Sequence, residues 1–257
     1  MFDKLGLQLY TVRDYLNTEE DMDKTFERLV SMGYTVAQSA GHESEAMAKL
    51  AKKHGIIIAG THYNLDKIVN EPDETMRLHE LLETTNIGIG AMPTDGRTSQ
   101  EGLEEFIRRY NSVAPIYAKN GFRLTYHHHS FEFASHDGKK TMMEYMIDDF
   151  DPNISFVLDT CWAANAGVDV CDMIEKLKGR LDILHLKDIK TEMIDSWANR
   201  QIRCEIGTGV INWGKIIKTA EANDVKYFVV EQDTFWMDDD PFKSLQISKD
   251  HLNQFIK

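Results

Sequence analysis

The sequence is short of several features that would place it outside the ordinary globular enzymes. It holds only 5 prolines in 257 residues and no low-complexity stretch, so neither an extended nor a disordered architecture is expected. Cysteine is scarce as well. Cys161, Cys171 and Cys204 make no CxxC pair and leave one unpaired, which points to a reduced, cytoplasmic protein rather than a disulfide scaffold. No apolar run approaches the roughly 18 residues of a membrane helix. The opening MFDKLGLQLY lacks the basic-then-apolar order of a signal peptide. Positive charge is also short: 29 Lys and Arg face 42 Asp and Glu, a net charge of −13. That excess argues against nucleic-acid partners, whose backbone is bound by basic surface that releases counterions.

What is present is a regular alternation of short β-branched runs with amphipathic segments. Leu5–Tyr10, Tyr34–Ser39, Ile56–Ala59, Ile87–Ile89, Phe122–Thr125, Ile154–Asp159, Leu181–Leu186 and Tyr227–Glu231 read as strands. Between them lie helices opened by Thr18, Ser44, Ser99 and Thr141 and closed near Gly33, Gly55 and Gly121. Pro115 is expected to kink or divide the helix that starts at Ser99. Lys187–Asn212 reads as one long connection, and Pro241–Ile256 as a closing helix. Strict alternation calls for a parallel sheet, and eight units of about 250 residues close a (β/α)8 barrel. The first turn, QLYTVRD, has no GxGxxG loop, which disfavours a doubly wound open sheet. The expectation is an α/β TIM barrel forming a single domain over residues 1–257.

In such a barrel the active site lies at the carboxyl ends of the strands. Those ends here carry His62 on strand three, His127–His129 on strand five, Asp159 on six, His185 on seven and Glu231 on eight. Taken singly, Asp159 reads also as a helix N-cap and His185 as a partner in an ordinary hydrogen bond. Glu231 ends an almost wholly apolar strand, where a structural carboxylate would need a buried cation. Taken together, metal-ligand residue types on four neighbouring strands can converge on one ion.

The motifs LGLQLYTVRD (Leu5–Asp14), GTHYN (Gly60–Asn64), YHHHSFEF (Tyr126–Phe133), FVLDTCWAANAG (Phe156–Gly167), HLKD (His185–Asp188), EIGTGVINW (Glu205–Trp213) and VVEQD (Val229–Asp233) come in an order that resembles the xylose isomerase-like TIM barrels. That family includes sugar phosphate isomerases and epimerases. The resemblance covers nearly the whole chain. It implies one divalent metal ion, most often Mn2+ with Co2+, Mg2+ or Zn2+ as alternatives, held by residues of strands five to eight. By motif, Asp159, His185 and Glu231 match three ligands. On strand five, family members with the pattern Glu-Asn-His place a glutamate where this chain has His127. His127 is therefore the first choice of ligand, with His129 and Glu132 close behind.

The resemblance further implies proton abstraction beside a carbonyl, with isomerisation, epimerisation or elimination to follow. Glu231 is the expected base, Glu132 a candidate second acid/base, and Lys187 a candidate to meet oxyanion charge or protonate a leaving group. A salt bridge of Lys187 with Asp188 or Glu205 is the structural alternative. Gln8, Tyr10, His62, His129 and Trp162 are substrate-contact candidates. Arg13 is expected to pair with Asp14 or Glu205. Arg200 and Arg203 are the nearby cations able to grip a phosphate, and no phosphate cradle is visible. The expected partner is a small-molecule sugar or glycoside, with no nucleic acid and no membrane, and a homo-oligomer is possible. The leading expectation is a sugar isomerase or epimerase, with a lyase or dehydratase as the alternative. A DNA-repair endonuclease ranks lower because of the acidic charge.

Overall fold

The computed structural model describes residues 5–255. The start of the MFDKLGLQLY stretch lies outside them, and the closing helix expected over Pro241–Ile256 ends at Leu252, followed by a turn over 253–255. Eight parallel strands close into a barrel: Leu5–Gln8, Val36–Ala40, Ile57–His62, Asn86–Ile89, Arg123–His127, Ile154–Asp159, Leu181–Leu186 and Tyr227–Val230. Closure comes from the first strand pairing the eighth, Leu7 beside Val230, as well as the second, Gln8 beside Gln38. Helices follow the strands around the outside. Their starts are set by side-chain caps on Thr18, Ser44, Ser99 and Thr141, each accepting a backbone N–H of the first turn.

Successive strand residues point to opposite faces, and that period places the site. Val36, Ala59, Val157, Ile183 and Val229 pack together as a small apolar plug inside the barrel. Two residues further along strands two, six, seven and eight, the same face presents Gln38, Asp159, His185 and Glu231. Strand three breaks the rule. Its pairing with strand two slips by a residue between Ala37 and Gln38, so His62, not Thr61, reaches the interior. Thr61 Oγ1 instead meets His79 Nε2 on the helix side at 2.9 Å.

Three expectations are corrected. The first strand ends at Gln8, and Leu9–Tyr15 is a 3-10 segment whose Tyr10 is exposed. Pro115 does not divide its helix, which runs unbroken over Gln100–Lys119. Val113, Ala114 and Tyr117 bury on both sides of the proline, and Tyr117 Oη donates to the Ile68 carbonyl at 2.8 Å. That packing outweighs the one backbone bond proline cannot make. Third, the long connection is structured: Asp188–Met193 and Asn199–Cys204 form an antiparallel hairpin beside the barrel mouth. No helix among the described residues is long and apolar enough to cross a membrane.

Candidate metal centre

His127, Asp159, His185 and Glu231 come from the ends of four successive strands, and each offers a ligand atom within 4.8 Å of the others. All four are buried. His127 Nδ1 donates to the Gly90 carbonyl at 2.9 Å, which leaves its Nε2 without a hydrogen-bond partner. Burial lowers the His127 pKa more than Asp159 raises it, so the ring is neutral and Nε2 carries a lone pair. That lone pair stands 3.6 Å from Asp159 Oδ2, itself without a hydrogen bond. Lys187 Nζ lies 3.2 Å from that oxygen on one side, so the group left without a partner is the buried His127 lone pair, an acceptor that a bound cation would satisfy. The imidazole-and-carboxylate donor set also suits a divalent ion of intermediate hardness. The residues fit a metal.

Asp159 serves two purposes at once. Its Oδ1 accepts the Trp162 N–H at 2.9 Å as the cap of helix Thr160–Asn165, and its Oδ2 faces the cluster. Burial alone would raise its pKa, but the Lys187 ammonium, with His185 beside it, holds the carboxyl well below the usual range. Glu231 behaves alike: burial opposes ionisation, and Lys187 and His185 overcome it. His185 Nδ1 lies 3.0 Å from Glu231 Oε2 and 3.8 Å from Asp159 Oδ2. Burial works against charging His185, and these two carboxylates raise its pKa nonetheless.

Lys187 is buried in the same cluster. Its Nζ lies 2.8 Å from Glu231, 3.2 Å from Asp159 and 3.1 Å from Asp233. Burial opposes its charge, but these three carboxylates raise its pKa well above the ordinary lysine value. The Asp188 or Glu205 bridge considered from sequence is not formed. Asp188 instead accepts the backbone N–H groups of Gly207 (2.9 Å) and Gly209 (3.3 Å) and the Trp213 indole N–H at 2.8 Å. Glu205 accepts from Ser244 Oγ at 2.7 Å and from Gln232. Arg13 likewise avoids Asp14 and Glu205, donating to the carbonyls of Tyr10 and Asp233.

The three consecutive histidines have three fates. His127 faces the cluster. His128 points away and is fully used, Nδ1 donating to the His129 carbonyl and Nε2 accepting the Asp159 N–H, each at 2.9 Å. His129 lines the cavity, where burial first and the nearby His127 next push its pKa down to about 3. Glu132 stands outside the cluster. It accepts from Tyr126 Oη at 2.6 Å and from the His129 N–H at 2.8 Å, and burial raises its pKa to about 7.

Above the four residues opens a cavity of about 430 Å³ whose walls include Tyr10, His62, His129, Trp162, Lys187 and Glu231. This is the size of an ordinary small-molecule site. Gln8 lies beneath it, fully buried, and contacts Gln38 and His62 rather than the opening. Arg203 stacks over Trp162 at 4.5 Å, while Arg200 pairs with Glu192 on the hairpin. Two residues of the site had been given no role from sequence. Asp233 also lines the cavity, and burial followed by the Glu231 charge raises its pKa to about 6. Gln38 contacts His185 Nε2. Gln38 lies on strand two, two residues beyond the inward-facing Val36, so the strand period carried its signal; Asp233 lies past the end of strand eight at Val230, where no period reaches.

The family model of the xylose isomerase-like TIM barrel matches residues 26–254. Inosose dehydratase of Mesomycoplasma hyopneumoniae (strain J) is 30% identical over 106 residues, 41% of this chain and 34% of that protein. The match thus spans about a third of the curated relatives' length. Among solved structures, a sugar phosphate isomerase/epimerase from Parabacteroides distasonis superposes with a TM-score of 0.79 at 22% identity, covering 100% of this chain and 96% of that one. The probable 3-DHS dehydratase AsbF from Bacillus anthracis gives 0.72 at 16% identity, covering 97% and 98%. At those identities the superpositions speak for the fold. The family match is carried by the sequence itself and runs over most of the barrel: the chain belongs to the xylose isomerase-like TIM barrels.

Proposed function

We propose that the protein is a divalent-metal-dependent enzyme that removes a proton beside the carbonyl of a keto-sugar, keto-glycoside or related polyol and then eliminates water or another β-substituent. His127, Asp159, His185 and Glu231 would hold the ion, with Mn2+ the first choice. When bound, such an ion polarises a carbonyl and its neighbouring hydroxyl. Glu231 takes the carbon-bound proton. The Lys187 ammonium, 2.8 Å from that carboxylate, meets the negative charge that develops on the carbonyl oxygen. Lys187 and Asp233, 3.1 Å apart, supply the proton that leaves with the β-hydroxyl, so the product has lost one water.

The observation that carries this reading is the one-sidedness of the carboxylates. Both carboxylates in the cavity wall, Glu231 and Asp233, follow strand eight, while strands three and five contribute the imidazoles His62, His127 and His129. Inversion by a pair of carboxylates needs the second one on the opposite face. Glu132, the sequence candidate, is engaged with Tyr126 and His129 instead. One-face chemistry fits elimination, in line with the inosose dehydratase relatives, and sets it ahead of the isomerase or epimerase expected from sequence. Isomerisation is the second reading, because Glu231 alone can return its proton to an adjacent carbon on the same face.

The wall contains a single cation, Lys187, already held by three carboxylates, which favours a substrate without phosphate. The net charge of −13 sets an endonuclease role aside. A panel of keto-sugars and keto-glycosides followed by NMR in deuterated water tests the proposal. Elimination gives a product lighter by water or an aglycone, and isomerisation gives none of that loss. Glu231→Gln should stop exchange of the substrate's carbon-bound proton with solvent. Undiminished exchange in that variant removes Glu231 as the base.

A further inference from the structure

We propose that Gln8 and Gln38 form a polarity relay that fixes where the hydrogens sit on two imidazoles of the site, holding one on His185 Nε2 so that Nδ1 is the nitrogen that faces the metal position, and leaving His62 with an N–H toward the ligand. The relay starts at a group with no choice of role. The Tyr10 backbone N–H can only donate, and it meets Gln8 Oε1 at 3.3 Å. Gln8 therefore turns its NH2 group inward, where it reaches Gln38 at 3.2 Å and His62 Nδ1 at 3.4 Å.

An atom that receives the Gln8 donor must be an acceptor, so Gln38 presents its carbonyl oxygen. His185 Nε2 contacts that same oxygen and must carry a hydrogen. Its Nδ1, which here donates to Glu231 Oε2 at 3.0 Å and lies 3.8 Å from Asp159 Oδ2, is then the nitrogen that would give up its hydrogen to a metal. The other branch sets His62. Its Nδ1 accepts from Gln8, so the neutral ring carries its hydrogen on Nε2. That nitrogen is buried and has no partner, on a residue that lines the cavity. It is a donor waiting for an oxygen of the bound ligand, a carbonyl or hydroxyl of a polyhydroxylated molecule. Gln38 thus acts as a positioning residue, and the strand register that sets Gln8 beside Gln38 builds the relay into the barrel.

The His185 half rests on the metal reading above, and the His62 half does not. Long-range 1H–15N spectra of the histidine rings, recorded on metal-free and zinc-loaded protein, test both. The relay predicts a hydrogen on Nε2 of His185 in both samples and a neutral Nε2–H form of His62. A His62 ring protonated on Nδ1 alone, or a bare His185 Nε2, overturns it. Zinc affinity by chelator competition supplies the second test. Gln38→Leu, which breaks the relay, should weaken zinc by about 10–100-fold. Gln38→Glu, which still accepts from both neighbours, should keep the affinity. Equal affinity in Gln38→Leu and the unaltered protein overturns the positioning role of Gln38. Failure of the unaltered protein to take zinc overturns the metal reading and the His185 half, while the His62 spectrum still decides the rest.

Discussion

A single buried ammonium holds three carboxylates together: Lys187 lies within 3.2 Å of Asp159, Glu231 and Asp233. Removing one member of a buried ionic group leaves the others uncompensated, at a cost of about 3–5 kcal/mol. Lys187→Met should therefore lower the melting temperature of the metal-free protein, and added Mn2+ should restore much of the loss by binding the same carboxylates. Melting curves with and without the ion check this, and a melt insensitive to the substitution contradicts it. Glu132 makes a separate prediction. Burial raises its carboxyl from 4.5 to about 7, so the folded chain keeps a proton that the unfolded chain releases. Its stability contribution is intact below about pH 4.5, falls by about 1.4 kcal/mol per unit as pH rises, and levels off above about pH 7. Glu132→Gln should flatten that slope in denaturant titrations across this window. An unchanged slope contradicts the assignment.

Among the elements, the hairpin Asp188–Met193/Asn199–Cys204 and the turn that follows it owe their shape to the Asp188 carboxylate, which gathers backbone donors from Gly207, Gly209 and Ile211. Gly209 is required there by close approach: a Cβ would lie 2.2 Å from Asp188 Oδ1 and 2.4 Å from the Ile189 carbonyl. Gly209→Ala should cost on the order of 1–3 kcal/mol in urea unfolding, and a neutral result contradicts the clamp. Much of this level was legible beforehand. The eight strands and their apolar faces follow from period-2 runs, and so do Asp159, His185 and Glu231 at their ends. The hairpin was not legible, because Lys187–Asn212 buries only the bases of its two strands, at Ile189, Ile202 and Cys204, and its outer half is polar and exposed, too little to impose a period. The undivided helix through Pro115 shows the converse, in which packing of Tyr110, Val113 and Tyr117 overrides a local breaker. Glu132 and the second histidine, His128, lie past the end of strand five, where alternation no longer fixes direction.

At the scale of the whole molecule, the barrel works as a plug with a polar rim. The buried layer of Val36, Ala59, Val157, Ile183 and Val229 closes the interior, and the next inward layer carries the ligand set. One parallel register therefore fixes both stability and site, with Asp159 beside His185 and His185 beside Val229. The central claim is that this layer holds one divalent ion. Calorimetric titration of Mn2+ into metal-stripped protein tests it most directly. One ion per chain is expected, with binding lost in Asp159→Asn and sharply weakened in His127→Leu while both variants keep the native circular dichroism. Absence of binding in the unaltered protein, or equal binding in folded Asp159→Asn, would contradict it.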